Sequence, residues 1–354
     1  MKMLISLVFM LAGMPVFSQG PASVPEAGII KDGFIYETAS FPSCHAATLE
    51  ETPEGLVAAW FGGTHEGNSD VCIYMSRLVK GGWTAPVMIA DGRINDSTRY
   101  ACYNPVLYQV PGKELILFYK IGPNVAGWTG WIKRSYDGGI SWGRPESIPE
   151  GFLGPIRNKP VLRDGWLICP SSTEKFGWKV HFEFTKDGGR SWSKTGPLNN
   201  GTTMTGIQPA ILFHPEETMQ ALCRSQDGLL NETWSYDHGR TWTDLRATGL
   251  PNNNSGIDAI TLKSGMHLLV FNHVKSGKGV WGPRSPLNLA LSSDGRVWYT
   301  SLELAREEGA EFSYPTIMQT KDGMVHLLYT WKRQRIRHMV IDPSKLRQAK
   351  EIVL

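Results

Sequence analysis

One motif recurs along the chain at a fixed period, and it limits the possible folds more than any other feature. Ser135-Tyr-Asp137-Gly-Gly139-Ile-Ser-Trp142, Thr185-Lys-Asp187-Gly-Gly189-Arg-Ser-Trp192 and Ser235-Tyr-Asp237-His-Gly239-Arg-Thr-Trp242 all fit S/T-x-D-x-G-x-x-W. The tryptophans lie 50 residues apart twice, from 142 to 192 and from 192 to 242, and a form shorter by one residue, Ser292-Ser-Asp294-Gly295-Arg-Val-Trp298, follows. The chemistry is that of a tight hairpin turn. Aspartate accepts hydrogen bonds from neighbouring amides, glycine takes backbone angles closed to other residues, and tryptophan packs between sheets. These aspartates are therefore read as turn builders at the periphery, not as catalytic or calcium-binding groups.

A second repeat opens each unit: His45-Ala-Ala-Thr-Leu, Asn104-Pro-Val-Leu, Lys159-Pro-Val-Leu, Gln208-Pro-Ala-Ile-Leu, Asp258-Ala-Ile-Thr-Leu and Tyr314-Pro-Thr-Ile-Met. Turns such as Pro53-Glu54-Gly55, Arg163-Asp164-Gly165 and Lys321-Asp322-Gly323 follow, then a second apolar strand, for example residues 56–61, 115–119 and 325–329. A third strand leads into the aspartate turn, and a fourth leaves it. Four-stranded units of this period are propeller blades, and turn signals this frequent leave no room for a helical solenoid. The sequence thus predicts an all-β, six-bladed β-propeller with Asp-box turns, in which residues 29–36 supply an outer strand to the last blade and close the ring. No linker or low-complexity tract divides residues 19–354, so they form one domain.

Lys2 ahead of an apolar run from Met3 to Phe17, with Ser18 before Gln19, has the layout of a cleavable export signal over residues 1–18. No later stretch reaches the length of a membrane helix. The expected location is the periplasm or outside the cell. Cys44, Cys72, Cys102, Cys169 and Cys223 lie in apolar segments without CxxC spacing and read as buried thiols. No metal or cofactor is expected. With 36 basic against 33 acidic residues the net charge is +3, too balanced for a nucleic-acid or membrane surface, so charge recognition has to be local.

First strands line the channel of a propeller, so the six unit starts, His45, Asn104, Lys159, Gln208, Asp258 and Tyr314, are expected to converge at one face. All six are polar or ionisable, as a recognition site demands. The first-blade loop Gly62-Gly-Thr-His-Glu66-Gly-Asn-Ser-Asp70 opens on the same face, and its carboxylates Glu66 and Asp70 are candidates for general acid/base work. Arg157, Arg224, Arg284, Arg333 and Arg335 map near strand ends at this rim. Guanidinium groups grip carboxylates in a planar, two-pronged manner, so the cluster implies an acidic sugar as ligand.

Taken together, the chain resembles the bacterial Asp-box branch of the sialidase (neuraminidase) superfamily over almost its whole length. Glu311-Phe-Ser-Tyr314 looks like the segment bearing the nucleophilic tyrosine, and Arg284-Ser-Pro-Leu-Asn-Leu-Ala-Leu-Ser292 like the stretch carrying the third arginine of the carboxylate-binding triad. Asp70 stands where the family keeps its acid/base aspartate. Three positions depart from the pattern: His45 replaces the first triad arginine, Gln208 the glutamate that activates the tyrosine, and Leu230 and Asn231 occupy the place of an arginine before Trp234. Arg224, one strand earlier, could reach the same space. A tyrosine of ordinary pKa, about 10, needs a base to become a nucleophile, and glutamine cannot take its proton.

The resemblance implies an exo-acting glycoside hydrolase releasing a terminal acidic sugar. Tyr314 would be nucleophile or charge stabiliser, Asp70 or Glu66 acid/base, and Arg284 and Arg224 the carboxylate-binding pair; Arg157, Lys159, Asn104, Gln208 and Asp258 complete the expected substrate contacts. Two alternatives are an enzyme for uronic-acid-linked glycans in which His45 and Tyr314 exchange protons, and a carbohydrate-binding propeller without catalysis.

Overall fold

The computed structural model describes residues 28–353, so the expected export signal lies outside the described residues. Six antiparallel sheets form a ring of blades. The inner strands are Ser43–Thr52, Ala101–Gln109, Val161–Arg163, Ile207–Phe213, Asp258–Thr261 and Phe312–Gln319. In blades 2 to 5 the strands run from the channel outwards in chain order, and blade 1 carries an extra outer strand, Val87–Ala90. Ile29–Phe34 pairs antiparallel with Arg335–Ile341 and is the outer strand of blade 6, closing the ring as the sequence implies.

The Asp-box turns hold themselves. In the first, Ser135 Oγ donates to Asp137 Oδ1 at 2.8 Å, the Ser141 amide donates to the same oxygen at 2.8 Å, and Ser141 Oγ donates to Asp137 Oδ2 at 2.5 Å. The Ser141 hydroxyl and then its amide hold the Asp137 carboxyl down at about 2. The same bonds recur at Asp187 and Asp237, which leaves these carboxylates occupied by their own turns. Trp192 and Trp242 each donate their indole N–H to the glycine carbonyl three residues back, and Trp242 stacks on Phe182 of blade 3 at 3.8 Å. All five cysteines are buried free thiols. Among the described residues no helix is long and apolar enough to cross a membrane.

One irregularity positions the site. Four inner strands carry a bulge at the same register, between His45 and Thr48, Tyr103 and Val106, Ile207 and Ala210, and Ser313 and Thr316. Inside each bulge one residue takes a left-handed backbone: Ala46, Asn104, Gln208 and Tyr314, with φ between 39° and 56°. That conformation costs a non-glycine residue about 1–2 kcal/mol, and it re-aims the side chain at the mouth of the channel.

Candidate functional site

The bulge register corrects the expected ring of six. Asn104, Gln208 and Tyr314 are equivalent, but their counterpart in blade 1 is Ala46, not His45, which pairs with Phe61 one step earlier. In blade 5 the counterpart is Gly256, and Asp258 lies two residues further along the strand. The Asp258 carboxylate accepts the amides of Ala259 and Ile317, both at 2.9 Å, and so ties blade 5 to blade 6. Thr48 does the same for blades 1 and 2 by accepting the Leu107 amide. Lys159 points away from the mouth. Its ammonium donates to Glu50 at 2.9 Å, beside Met318, four residues or about 13 Å down the strand from Tyr314.

The remaining groups assemble around Tyr314, which is 9% exposed at the floor of a cavity of about 500 Å3. Its phenol oxygen accepts from Arg224 Nη1 at 2.5 Å and, at the long distance of 3.5 Å, from Gln208 Nε2. Room for the ring exists because residue 256 is glycine: a Cβ there would lie 3.2 Å from the Tyr314 ring and 3.3 Å from Gln208 Oε1. Arg224 ends the second strand of blade 4, Met219–Arg224, and is nearly fully buried. Its Nε and Nη2 both donate to Asn254 Oδ1, at 3.2 and 3.1 Å, and its guanidinium lies 5.0 Å from the ring centres of Trp178 and Trp281. A neutral amide and two indoles hold this cation, so its charge is directed at the tyrosine oxygen rather than at a carboxylate.

Three more guanidiniums complete the surround. Arg157 lies 5.0 Å over the Tyr314 ring, with Nη2 donating to the Pro315 carbonyl at 2.6 Å and Nη1 to Asn158 Oδ1 at 2.9 Å. It supports the floor with these two bonds, while its Nε is buried with no partner among the described residues. Arg284, 5.6 Å from the same ring, donates Nη1 to Glu311 at 2.7 Å; Arg333 donates to Glu311 at 2.8 Å and to Glu66 at 2.5 Å. Burial works against the Glu311 charge, but Arg284 and Arg333 outweigh it and hold that carboxyl below its ordinary range. Arg335 turns outwards to Glu37.

His45 reaches the same space from below. Its ring centre is 4.0 Å from that of Tyr314, Nδ1 is 3.0 Å from Thr330 Oγ1, and Nε2 is buried with no partner among the described residues. Burial, then Arg333, Arg284, Arg157 and Arg224, all push its pKa well below the ordinary value, so the imidazole is neutral.

The two loop carboxylates part company. Glu66 lines the cavity, whereas Asp70 is not among the lining residues and gives both oxygens to Thr64: Oδ2 to its amide at 2.8 Å and Oδ1 to its hydroxyl at 3.0 Å. A further carboxyl, Glu174 on the loop after Trp166–Thr173, was invisible in the repeat. Burial raises its pKa, Arg224 opposes the rise, and Glu66 adds to it. Asn254, Trp178 and Trp281 also escaped the sequence reading. Only the polar run Asn252-Asn-Asn-Ser255, wholly buried just before an inner strand, could have signalled that a buried cation needs an acceptor there.

Comparison with known proteins places the architecture. The chain matches the family model for a BNR repeat-like domain over residues 54–327. Among solved structures it superimposes with a TM-score of 0.72 on a Dyadobacter fermentans protein of unknown function, at 16% identity and covering 92% of this chain and 100% of that one. An intramolecular trans-sialidase of Ruminococcus gnavus, in complex with oseltamivir carboxylate, gives 0.70 at 13% identity over 91% of this chain and 99% of that one. A sialidase of Streptococcus pneumoniae gives 0.67 at 13% identity, with 93% and 72% covered. At such identities the likeness establishes the fold alone. No curated protein matches the sequence significantly.

Proposed function

The chain belongs to the BNR repeat-like family, with a sialidase-like fold, and from that premise we propose that it is an exo-acting glycoside hydrolase taking the terminal acidic sugar of a glycan into the axial cavity. The observation that carries this reading is the 2.5 Å contact of Arg224 with the Tyr314 oxygen inside a surround of four guanidiniums. Glu66 and Glu311 hydrogen-bond to Arg333 and Arg284, whereas Arg224 and Arg157 have no carboxylate hydrogen-bond partner among the described residues, which suits the surround to an anionic ring.

Arg284 would hold the substrate carboxylate, since it spends one bond on Glu311 and a guanidinium carries five donors. Tyr314 would face the anomeric carbon as charge stabiliser; to act as nucleophile it would first have to lose its phenol proton to solvent, since Arg224 and Gln208 both donate to its oxygen, and Arg224 would then compensate the negative charge. The departing glycosidic oxygen would take its proton from Glu174, which like Asp70 does not line the Tyr314 cavity but lies within charge range of Arg224 and is biased by burial towards the protonated form. Asp70, bonded twice to Thr64, would shape the loop. Export of the protein, read from the first 18 residues, agrees with an extracellular or periplasmic glycan as substrate.

The unpartnered Nε2 of His45 beside Tyr314 favours a second reading, elimination from a uronic-acid-linked glycan with these two residues exchanging the proton. Incubation with sialylated and uronic-acid-capped oligosaccharides decides. Release of free acidic sugar without the ultraviolet absorbance of an unsaturated uronate supports hydrolysis. That absorbance supports elimination, and binding with no product would leave a carbohydrate-binding propeller. With an active substrate in hand, Glu174→Gln should lower turnover most for poor leaving groups and Asp70→Asn should not; the opposite result returns the acid to Asp70.

A further inference from the structure

A cavity larger than the axial one, about 650 Å3, lies between blades 3 and 4. It is bounded by the turn of Arg163 and Asp164 and by the Asp-box turn of blade 4, at the opposite ends of the strands from the Tyr314 mouth. Trp166, Ile168, Phe184, Leu198 and Trp242 give it an apolar lining. The internal repeat supplies the comparison that shows this gap to be unusual.

Between blades 2 and 3 the equivalent space is closed. Arg134, immediately before the Asp-box serine, is almost fully buried and donates to Glu114 at 3.1 Å, to Glu146 at 3.0 Å and to the Gly188 carbonyl at 2.7 Å, welding blade 2 to the next Asp-box turn. Between blades 4 and 5, Trp234 occupies the position of Arg134. There Gln220 donates to the Gly295 carbonyl at 2.9 Å, and Arg296 covers the Trp234 ring at 5.0 Å. In blade 3 the same register puts Phe184 where blade 2 has Arg134, and Trp166 where it has Glu114. Two of the three side chains of the weld, Arg134 and Glu114, thus have aromatic counterparts, and both aromatics remain partly exposed, meeting edge to face with ring centres 6.4 Å apart.

The lining is also charged in one sense. Arg163, Lys194 and Arg240 line it beside Asp164, and Glu217 pairs with Arg163 at 3.7 Å, which leaves an excess of 3 − 2 = +1. Asp164 is already engaged by Arg240 at 3.2 Å and His238 at 3.4 Å. Arg163 meets Glu217 through Nη1, but its Nε is buried with no partner among the described residues, and Lys186 adds a further cation 4.2 Å from the Trp166 ring centre. The geometry points to a second binding site in this gap, for an acidic sugar ring whose C–H face lies on Trp166 and Phe184 while its carboxylate meets Arg163 and Arg240. Such a ring joins an apolar face to an anionic edge, which is the combination the cavity presents. Placed away from the axis, the site would hold a glycan chain on the protein independently of turnover.

Calorimetric titration with an oligoglucuronate, and with a neutral glucose oligomer as control, tests this. The full chain should bind the acidic oligomer at two sites and the neutral one at neither. Joint substitution Trp166→Glu and Phe184→Arg introduces the Arg134–Glu114 pair of the blade 2 weld; it should remove one site and leave axial turnover unchanged. Arg163→Ala with Arg240→Ala, both at partly exposed positions, should weaken the outer site about tenfold or more and serves if the first pair fails to fold. If the axial reading is wrong, the wild type shows one site and the aromatic pair of substitutions abolishes it. Unchanged stoichiometry and affinity in both variants, or a neutral oligomer binding as well as the acidic one, would overturn the proposal.

Discussion

Replacing Gln208 by glutamate is the sharpest test of the axial chemistry. The Tyr314 oxygen faces two donors, Arg224 at 2.5 Å and Gln208 at 3.5 Å, and among the described residues no acceptor receives its own proton. Gln208→Glu puts an acceptor there without changing side-chain volume. Burying a carboxylate costs several kcal/mol, but Arg224 Nη1 lies 3.5 Å from the Gln208 oxygen. At that distance, with an effective dielectric constant of about 20, the attraction is about 332/(20 × 3.5), or roughly 5 kcal/mol. The two terms nearly cancel, so the variant should fold with a melting temperature close to that of the wild type. Its effect should be kinetic, since a positioned general base typically contributes about 100-fold or more. Allowing for some residual route in the parent, kcat/KM on an aryl glycoside of the acidic sugar should rise about tenfold at neutral pH. The gain requires the introduced carboxyl to be ionised, so it should be present above the titration of that group and vanish as pH falls through it. Initial rates across the acid-to-neutral range measure this. If Gln208→Glu turns over no faster than the parent while Gln208→Ala retains full activity, the proton of Tyr314 is not what limits the reaction and the argument fails.

Tyr314→Phe should abolish turnover while acidic-sugar binding survives, and Arg284→Ala should raise KM first, both read from steady-state rates and calorimetry. Trp242→Ala removes the stack on Phe182 and the bond to Gly239, and should cost about 3–5 kcal/mol in urea unfolding without altering kcat of the folded fraction. Lys120, wholly buried against the Pro155 carbonyl, is lowered by burial to about 7. The unfolded chain therefore binds more protons than the native one from about pH 7 up to the ordinary lysine pKa, and native stability should rise with pH across that window. Lys120→Met should flatten the rise in a series of thermal melts; an unchanged slope would refute the assignment.

The ring was legible because its determinants are local. An Asp-box turn needs Ser or Thr, Asp and Gly at fixed offsets, and the bonds of Ser135, Asp137 and Ser141 depend on nothing distant. The register of the inner strands was less legible, and the reason is chemical. The bulge position in blade 1 holds Ala46 and the matching position in blade 5, which has no bulge, holds Gly256; neither carries a polar signal, so attention passes to the neighbouring His45 and Asp258. Yet a polar residue on an inner strand has two possible uses, to face a ligand or to tie one blade to the next. Asp258, like Thr48, is bonded to the backbone of the following blade. Sequence spacing cannot separate these uses, because a shift of a residue or two within the bulge exchanges them.

The site residues that went unread share a different origin. Glu174, Asn254 and Trp281 come from connections outside the repeated motifs, and Trp178, although Trp128 stands 50 residues before it, was not marked as a site residue by that repeat; each is defined by Arg224: Asn254 accepts from it, the two indoles flank it, and its charge opposes the burial shift of Glu174. A buried cation must find acceptors somewhere, so the presence of Arg224 on an inner second strand already required partners of this kind. What the sequence withheld was which loops supply them. That division follows from the architecture: the blades repeat because their turns are self-contained, whereas the mouth is assembled from loops free to differ, and function is carried where the repeat is broken.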